Sequence, residues 1–310
     1  MKGKNQSMFL WFIVMQSILY GFGNPLTKIA FESITAFWCL LFRFGFAFFL
    51  FILFFGKRIA AGIKRVNLMQ YLPSSICMAV AYISCNLALE NTTATNVGFL
   101  MSLPVVFTPF LSVIIIKKKL LFRHIPIQLM VVIGLYLLCS NGSQFRFGKG
   151  DMFAVITAIA IAGALVFGEK SLQQMDAVVL SSVQAGITAI LSLICALFFE
   201  DIQVLSDVRP EAWAVVVYLA VGCTCIAYLL QNAALSHLSS QLVSMLQCTQ
   251  PILTAVIAFF LLGEVLHPIG IVGAMIILIC IVLENGMATL ENKEVRGLQT
   301  SGQSLPDNES

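Results

Sequence analysis

The chain has 310 residues, of which 59% are hydrophobic and only 11% are charged, whereas a soluble domain typically has about 25% charged residues. Its mean hydropathy of +0.94 means that most of the surface must face hydrocarbon, which excludes an ordinary soluble domain. The formal net charge of +3 does not suggest a nucleic-acid partner.

Ten apolar segments approach the length of about 20 residues that a helix needs to cross a bilayer. In chain order they are approximately 8–30, 34–55, 68–89, 95–116, 125–140, 151–169, 177–199, 212–234, 240–262 and 267–284. Lys2 and Lys4 before the first segment could imitate a signal peptide, but no small-x-small cleavage site follows. The pattern therefore predicts an all-α integral membrane protein with ten transmembrane helices. The polar residues 291–310 predict a disordered cytoplasmic tail.

Basic residues concentrate in alternate loops. With the N-terminus in the cytoplasm, thirteen lie on that side: Lys2, Lys4, Lys57, Arg58, Lys64, Arg65, Lys117, Lys118, Lys119, Arg123, Lys170, Lys293 and Arg296. The outer loops hold Arg146, Lys149 and Arg209. Because basic loops favour the cytoplasmic side, both termini are predicted to be cytoplasmic, in the cell membrane.

An internal repeat divides the chain. The pattern A-Y-x-x-x-N-x-A-L begins at Ala81 and again at Ala227, and Pro104 and Pro251 follow at a similar spacing. A unit of five helices ends on the side opposite to its start, so its copy would be inverted, as in many secondary transporters. The predicted organisation is a first five-helix repeat in 1–143, a second in 147–290 and the tail in 291–310.

Polar groups inside predicted spans are costly in hydrocarbon and so mark candidate solute pathways. On the first helix, polar residues recur every four positions and share one face, which is interrupted by glycines and a proline. The polar positions are Gln16, Tyr20, Asn24 and Lys28, and the interruptions are Gly21, Gly23 and Pro25. Freed carbonyls are tolerated where they line a cavity, which predicts a kinked helix along the substrate path. The alternative is that the glycines serve helix packing.

Arg43 lies near the predicted bilayer midplane and should face the protein interior or a wet cavity. It is either a structural arginine or a substrate or gating contact. Tyr82 and Asn86 stand at i and i+4, as do Tyr228 and Asn232. These pairs fit hydrogen bonds between helices and two symmetric cavity walls equally well.

The fourth and ninth predicted helices are the strongest candidates for pathway walls, because both concentrate amides and hydroxyls close to a proline. The residues are Asn96, Ser102 and Pro104 in the fourth helix and Ser244, Gln247, Gln250 and Pro251 in the ninth. We predict that the polar side chains of these helices bind substrate and that the glycines and prolines break or gate the helices. The spans contain no deep carboxylate that could carry a proton.

The sequence gives little support for an enzyme. Its histidines, His124, His237 and His267, occur singly, without H-E-x-x-H or paired aspartates, and no C-x-x-C is present. We therefore predict no catalytic residue, no metal and no cofactor. The predicted partners are a small-molecule substrate and the lipid bilayer, and a homodimer is left open. A receptor or scaffold is a further alternative, although the short tail offers little machinery for signalling.

In their order, these motifs resemble the drug/metabolite transporter superfamily, EamA type. The resemblance rests on Tyr20-Gly21-x-Gly23-Asn24, on Arg43, on the segments around Pro104 and Pro251, and on Leu262-Gly263-Glu264. Lys117 stands where the first half should repeat that glutamate. The resemblance implies two inverted five-helix units, with helices one to four and six to nine around a central cavity.

Members of that family move amino acids, nucleotide-related metabolites, sugars, vitamins and drugs, often outward. The resemblance thus implies a transporter of a small polar metabolite that works by alternating access. Amides and tyrosines with few charges suit zwitterions or neutral solutes, which makes an exporter of amino acids or related compounds the leading hypothesis. The alternatives are an uptake carrier for a vitamin, a nucleotide-related metabolite or a drug-like solute, and a membrane-embedded enzyme.

Overall fold

The structure is a computed structural model that describes residues 2–92, 94–117, 125–140, 148–262 and 268–300, and these ranges contain no strand. The helices of the first half are α1 (Lys2–Ala30), α2 (Ala36–Arg65), α3 (Leu68–Asn91), α4 (Ala94–Leu100), α5 (Pro104–Ile116) and α6 (Ile125–Ser140). Those of the second half are α7 (Lys149–Ser171), α8 (Ala177–Phe199), α9 (Pro210–Tyr218), α10 (Ala227–Leu235), α11 (Ser240–Gln247), α12 (Thr249–Leu262) and α13 (Pro268–Thr300). A 3₁₀ turn (Ile202–Asp207) precedes α9, and a π-helical turn (Leu219–Ile226) joins α9 to α10.

Within the described ranges, seven helical stretches are long and apolar enough to cross a bilayer. They are Ser7–Ala30, Ala36–Arg65, Leu68–Asn91, Val97–Ile116, Lys149–Ser171, Ala177–Phe199 and Pro210–Leu235. Two shorter apolar helices are Ile125–Leu138 and Pro268–Glu284. The chain is thus a multi-pass membrane protein. Seven of the ten predicted spans are helices long and apolar enough to cross a bilayer, and the count of ten stays a prediction.

Two of the predicted spans are broken near a proline, at corresponding places in the two halves. The fourth span divides between α4 and α5, which begins at Pro104, and the ninth divides between α11 and α12, whose first turn contains Pro251. Proline lacks an N–H and clashes with the preceding turn, so it is tolerated at the start of a helix rather than in its middle. Helix α1, in contrast, continues as one helix through Pro25.

Contacts that a helix of one half makes with a helix of the other half recur with the roles of the two halves exchanged. Corresponding helices of the two halves pack on each other, α2 on α8 and α6 on α13. Helix α3 packs on α7 as α10 packs on α1, and α5 packs on α7 as α12 packs on α1. This is the pattern expected when two similar units enclose a common centre.

Helices α2 and α8 run antiparallel and are tied at both ends. At the start of α2, the Phe37 and Trp38 backbone N–H groups donate to the carboxylate of Glu200 at the end of α8, at 2.9 and 3.0 Å. At the end of α2, Arg58 forms an ion pair with Asp176, which caps the start of α8. A carboxylate at a helix N-terminus satisfies amides that have no partner within the helix.

Helix α13 extends to Thr300, so residues 291–300 are helical where the sequence predicts a disordered tail. The segment Glu291-Asn292-Lys293-Glu294 contains good helix formers, which lets the helix continue beyond its apolar part. Residues 301–310, and the predicted junction between the repeats at 143–147, lie outside the described residues.

Candidate functional site

A cavity of about 630 Å³ lies between the two halves, within the range of about 300–1,000 Å³ typical of small-molecule sites. Both halves contribute to its wall, which combines apolar side chains with amides, tyrosines and hydroxyls. The broken helices supply part of the wall through Ser102 and Pro104 on one side and Ser244, Gln247 and Pro251 on the other. Breaks of this kind leave backbone groups free at the depth where transporters bind solutes.

Arg43 reaches this cavity from α2 although only 6% of the residue is exposed. Its Nε donates to the hydroxyl of Thr224 at 2.9 Å, and its guanidinium carbon lies 5.0 Å from the ring centre of Phe44 and 4.8 Å from that of Tyr82. No carboxylate among the described residues forms an ion pair with it.

The energetic balance of Arg43 depends on those contacts. An arginine at the centre of a membrane helix costs about 2.5–3.5 kcal/mol on insertion scales. A hydrogen bond to a charged group contributes about 1.5–3 kcal/mol, and a desolvated cation–π contact contributes about 2 kcal/mol. These contacts offset much of the cost of placing the charge inside the bundle.

Tyrosines connect Arg43 to helix α1. The Tyr82 hydroxyl donates to the Tyr20 hydroxyl at 3.0 Å, and the Tyr82 ring packs edge-on against Phe44 at 4.8 Å. Tyr82 therefore touches the guanidinium with its ring face and α1 with its hydroxyl, which joins α1, α2 and α3 at one point of the cavity wall.

Three glutamines join α1, α10 and α11 deeper in the cavity. The Gln231 side-chain carbonyl accepts from the Nε2 of Gln16 at 2.7 Å and from the Nε2 of Gln247 at 3.0 Å. The Oε1 of Gln16 is buried and accepts no hydrogen bond from the described residues. All three residues line the cavity, where this amide cluster ties α1 to the second half of the protein.

The π-helical turn brings α1 close to the second half. Within the turn, the Thr224 hydroxyl donates to the Leu219 carbonyl, five residues back, at 3.0 Å. The neighbouring Cys223 thiol donates to the Leu19 carbonyl of α1 at 3.2 Å, and a Cβ atom at Gly23 would stand only 2.9 Å from that sulfur. Single π turns occur often at functional sites, and this one holds the anchor of Arg43.

The cavity extends toward one end of the bundle, where Lys28 and Glu32 at the end of α1 line it together with Leu89 near the end of α3. We call this the Glu32 end. Glu32 also pairs with Arg209 at 3.4 Å, and both side chains are largely exposed.

The opposite end, the His237 end, is packed. Phe9 of α1 stacks on His237 at 3.9 Å between ring centres. The Glu169 carboxylate accepts from the first backbone N–H of α11, that of Ser240, at 2.9 Å, and the hydroxyls of Ser112 and Ser240 lie 3.3 Å apart. None of these residues lines the cavity, whereas Lys28 and Glu32 at the opposite end do.

A model of the EamA-like transporter family matches the chain twice, over residues 7–140 and 148–285. The chain belongs to this family. The two matches confirm the predicted duplication and the resemblance to EamA-type drug/metabolite transporters. Membership also argues against an enzyme, and the described residues contain no group of His, Cys, Asp or Glu arranged to hold a metal ion.

Two proteins of Archaeoglobus fulgidus described as uncharacterized transporters are similar to this EamA-like chain. One is 22% identical over 271 residues, which cover 87% of the chain and 83% of the relative. The other is 27% identical over 182 residues, which cover 57% of the chain and 62% of the relative. A solved crystal structure shares the fold with a TM-score of 0.76 at 17% identity, over 91% of the chain and 98% of that protein.

Most of the residues that the sequence predicts for the site of this EamA-like transporter lie on the cavity wall. They are Tyr20, Gly23, Pro25, Arg43, Tyr82, Asn86, Ser102, Pro104, Ser244, Gln247, Gln250 and Pro251. The side chains of Asn24 and Asn96 lie outside the described part of the structure. Gly21 faces α12 instead, where a Cβ atom would approach Ile257 Cδ1 at 3.1 Å.

Tyr228 and Asn232, the second copy of the tyrosine and asparagine pair, lie behind the cavity wall. Asn232 donates to Ser181 and Gln184 of α8, both at 2.9 Å. Asn86 makes the equivalent contact in the first half, where its Nδ2 donates to the Ala36 carbonyl at the start of α2, at 3.2 Å. Both asparagines thus tie adjacent helices together, which favours the structural reading of these pairs.

Some lining residues were absent from the predicted site. Gln231 immediately precedes Asn232 in the repeated motif, and Cys85 occupies the same place in the first half and also lines the cavity. Thr157 of α7 and Thr254 of α12 also line the cavity. Gln231 could have been found as the only amide at a variable position of the repeated motif, whereas the threonines carry no signal in sequence.

Proposed function

We propose that this protein carries small polar metabolites, in particular amino acids or related compounds, across the cell membrane by alternating access, and that it acts as an exporter. The observation that supports this most directly is the polar cavity between the two repeats, whose described lining includes Lys28 and Glu32 at one end of the bundle but none of the packed residues of the His237 end. Its size suits a metabolite of low molecular weight, and its amides and tyrosines suit a zwitterion better than a polyanion.

In this proposal the transporter has ten membrane-spanning helices, arranged as two inverted repeats. The antiparallel course of α2 and α8 and the exchange of helix contacts between the halves support the inversion. Two similar units that face in opposite directions can exchange conformations, which provides inward-open and outward-open states of similar free energy.

The basic loops favour cytoplasmic termini, and with that orientation the Glu32 end would face outside and the His237 end inside. The described conformation is then outward-open. To open inward, the protein would have to separate Phe9 from His237 and Ser240 from Glu169. It would at the same time bring the starts of α4 and α9 toward the end of α1, around Glu32.

Uptake of a vitamin, a nucleotide-related metabolite or a drug-like solute is the alternative within transport. The cavity does not favour a nucleotide with several phosphates, because Arg43 and Lys28 are the only cationic side chains among the described lining residues. The direction of net flux depends on the coupling ion, and the described lining contains a single carboxylate, that of Glu32, at the mouth.

The test is transport by the purified protein in liposomes, with a panel of ¹⁴C-labelled L-amino acids. Counterflow and efflux should exceed those of empty vesicles for a subset of the panel. Each assay is run with and without an imposed proton gradient, which distinguishes uniport from coupled transport. If the folded protein moves no member of the panel above the empty-vesicle rate, and moves no vitamin or nucleoside either, the proposal fails.

A further inference from the structure

Arg43 occupies a position where the two repeats differ in charge. It is the eighth residue of α2, and the eighth residue of the corresponding helix α8 is Gln184. Gln184 is 1% exposed, donates to the Ser74 hydroxyl at 3.0 Å and accepts from Asn232 at 2.9 Å. The fold is therefore satisfied at this place by a neutral amide, whose hydrogen bonds all stay within the protein.

The arginine, in contrast, is not fully paired by the protein. A guanidinium has five N–H donors, and among the described residues only the Nε of Arg43 has a hydrogen-bond partner, the Thr224 hydroxyl. Phe44 and Tyr82 cover the group with ring faces, which stabilise a cation without accepting its remaining protons in the plane. Arg43 itself lines the cavity.

The charged residues of the cavity wall limit the charge that a ligand can carry. The described lining residues that carry a charge at neutral pH are Lys28 and Glu32, both at the mouth, and Arg43, which lies deep. A single cation at depth suits one monoanionic group. Arginine presents a planar pair of donors that matches the two oxygens of a carboxylate, and the Tyr20 hydroxyl, which accepts from Tyr82, keeps its own proton for the same ligand.

We infer that Arg43 is a carboxylate subsite: it binds the carboxylate of the transported solute, with Tyr20 as a second donor. This inference rests on the proposed function and narrows it to solutes that carry one carboxylate.

Counterflow into liposomes tests the subsite. The labelled solute is the amino acid of the panel with the highest flux, and the competitors are that amino acid unlabelled, its carboxamide and its decarboxylated amine. Loss of a charged hydrogen-bonded pair should weaken binding about ten-fold or more, so the wild-type protein should prefer the carboxylate over the carboxamide by at least that ratio. Equal inhibition by the two would overturn the subsite while transport itself stands.

The variants Arg43→Gln and Arg43→Lys separate charge from structure. R43Q copies the residue of the other repeat and should fold, as checked by monodispersity and thermal unfolding in detergent. Its preference for carboxylate over carboxamide should fall to within about two-fold. R43K keeps the charge but lacks the planar pair of N–H donors, so it should retain an intermediate preference. The matched control is Lys64→Gln, which removes a charge from the exposed end of the same helix and should leave the ratio unchanged.

The outcomes are distinguishable. A folded R43Q protein that keeps the wild-type ratio contradicts the inference, and so does a phosphate monoester that inhibits more strongly than the carboxylate. If R43Q does not fold, the preference for carboxylate over carboxamide in R43K and in the wild-type protein still tests the inference. Absence of flux for every solute in wild-type vesicles would contradict both the proposed function and the subsite. Flux without a preference for carboxylate would contradict only the subsite.

Discussion

Gly23 of α1 lies against Cys223 of the π-helical turn so closely that a Cβ atom at residue 23 would stand 2.9 Å from the cysteine sulfur. Helix α1 and the turn that anchors Arg43 therefore meet at a point where a side chain on α1 is not accommodated. Overpacking of a tight contact typically costs about 1–3 kcal/mol.

We expect Gly23→Ala to lower the free energy of unfolding by about 1 kcal/mol and Gly23→Val to lower it by about 3 kcal/mol, because each forces the helices apart. Thermal unfolding in detergent measures the effect. Adding Cys223→Ala to Gly23→Ala removes the clashing sulfur and should restore part of the loss. Gly45→Ala is the matched control, since a Cβ atom at that glycine meets nothing within 4 Å. An equal loss for both alanine variants would contradict the contact.

Glu200 should stabilise the protein as a cap supplied by another helix. Its carboxylate accepts from the Thr35 hydroxyl at 2.6 Å and from two backbone amides at the start of α2. Glu200→Ala should lower the free energy of unfolding by about 1–2 kcal/mol, the range found when helix caps are removed. Asp207→Ala removes an exposed carboxylate nearby and should change it by less than about 0.5 kcal/mol. Similar values for the two variants would show that Glu200 does not act as a cap.

Gln231 should be needed for both stability and transport, because two other glutamines donate to its carbonyl. Gln231→Leu leaves the Nε2 groups of Gln16 and Gln247 without that acceptor, which should cost about 1–3 kcal/mol, and it should also reduce the transport rate. Gln173→Leu changes an exposed glutamine at a turn and serves as the control. Wild-type stability and flux in the Gln231 variant would mean that water replaces this acceptor at no cost.

Cysteine accessibility should reveal which end of the bundle is open. In a background without native cysteines, Ser102→Cys on the cavity wall should react with a membrane-impermeant maleimide added from outside at least about ten-fold faster than Ser240→Cys in the packed end, since reactivity requires solvent access. Glu32→Cys should react from outside and His237→Cys only after permeabilisation. The reverse order of labelling would invert the proposed orientation and make the described conformation inward-open.

Sequence patterns located the apolar helices well, because length and hydrophobicity are local properties. The breaks beside Pro104 and Pro251 also followed from the residues themselves, since proline excludes the middle of a helix. Pro25 shows the limit of that rule, because α1 continues through it as one helix.

The repeat was a good guide to topology and a weaker one to the site. It predicted equivalent roles for the pairs at Tyr82 and Tyr228, yet only the first pair lines the cavity. The reason is that the equivalent residues have different neighbours: Asn86 donates to the Ala36 carbonyl, whereas Asn232 donates to the Ser181 and Gln184 side chains. The contact between Arg43 and Thr224, which are 181 positions apart, arises from packing across the halves and has no signature in the sequence.

The π-helical turn carries one residue more per turn than the α-helix around it. Moving that surplus residue along the chain would rotate the side chains it passes by about 100°, the angle between successive residues of an α-helix, without pulling either end of the helix through the bilayer. Such a slip would swing Thr224 away from Arg43 and Cys223 away from Leu19 in one motion. The eighth span therefore contains an extra residue that can shift position, and it lies beside Thr224, which holds Arg43.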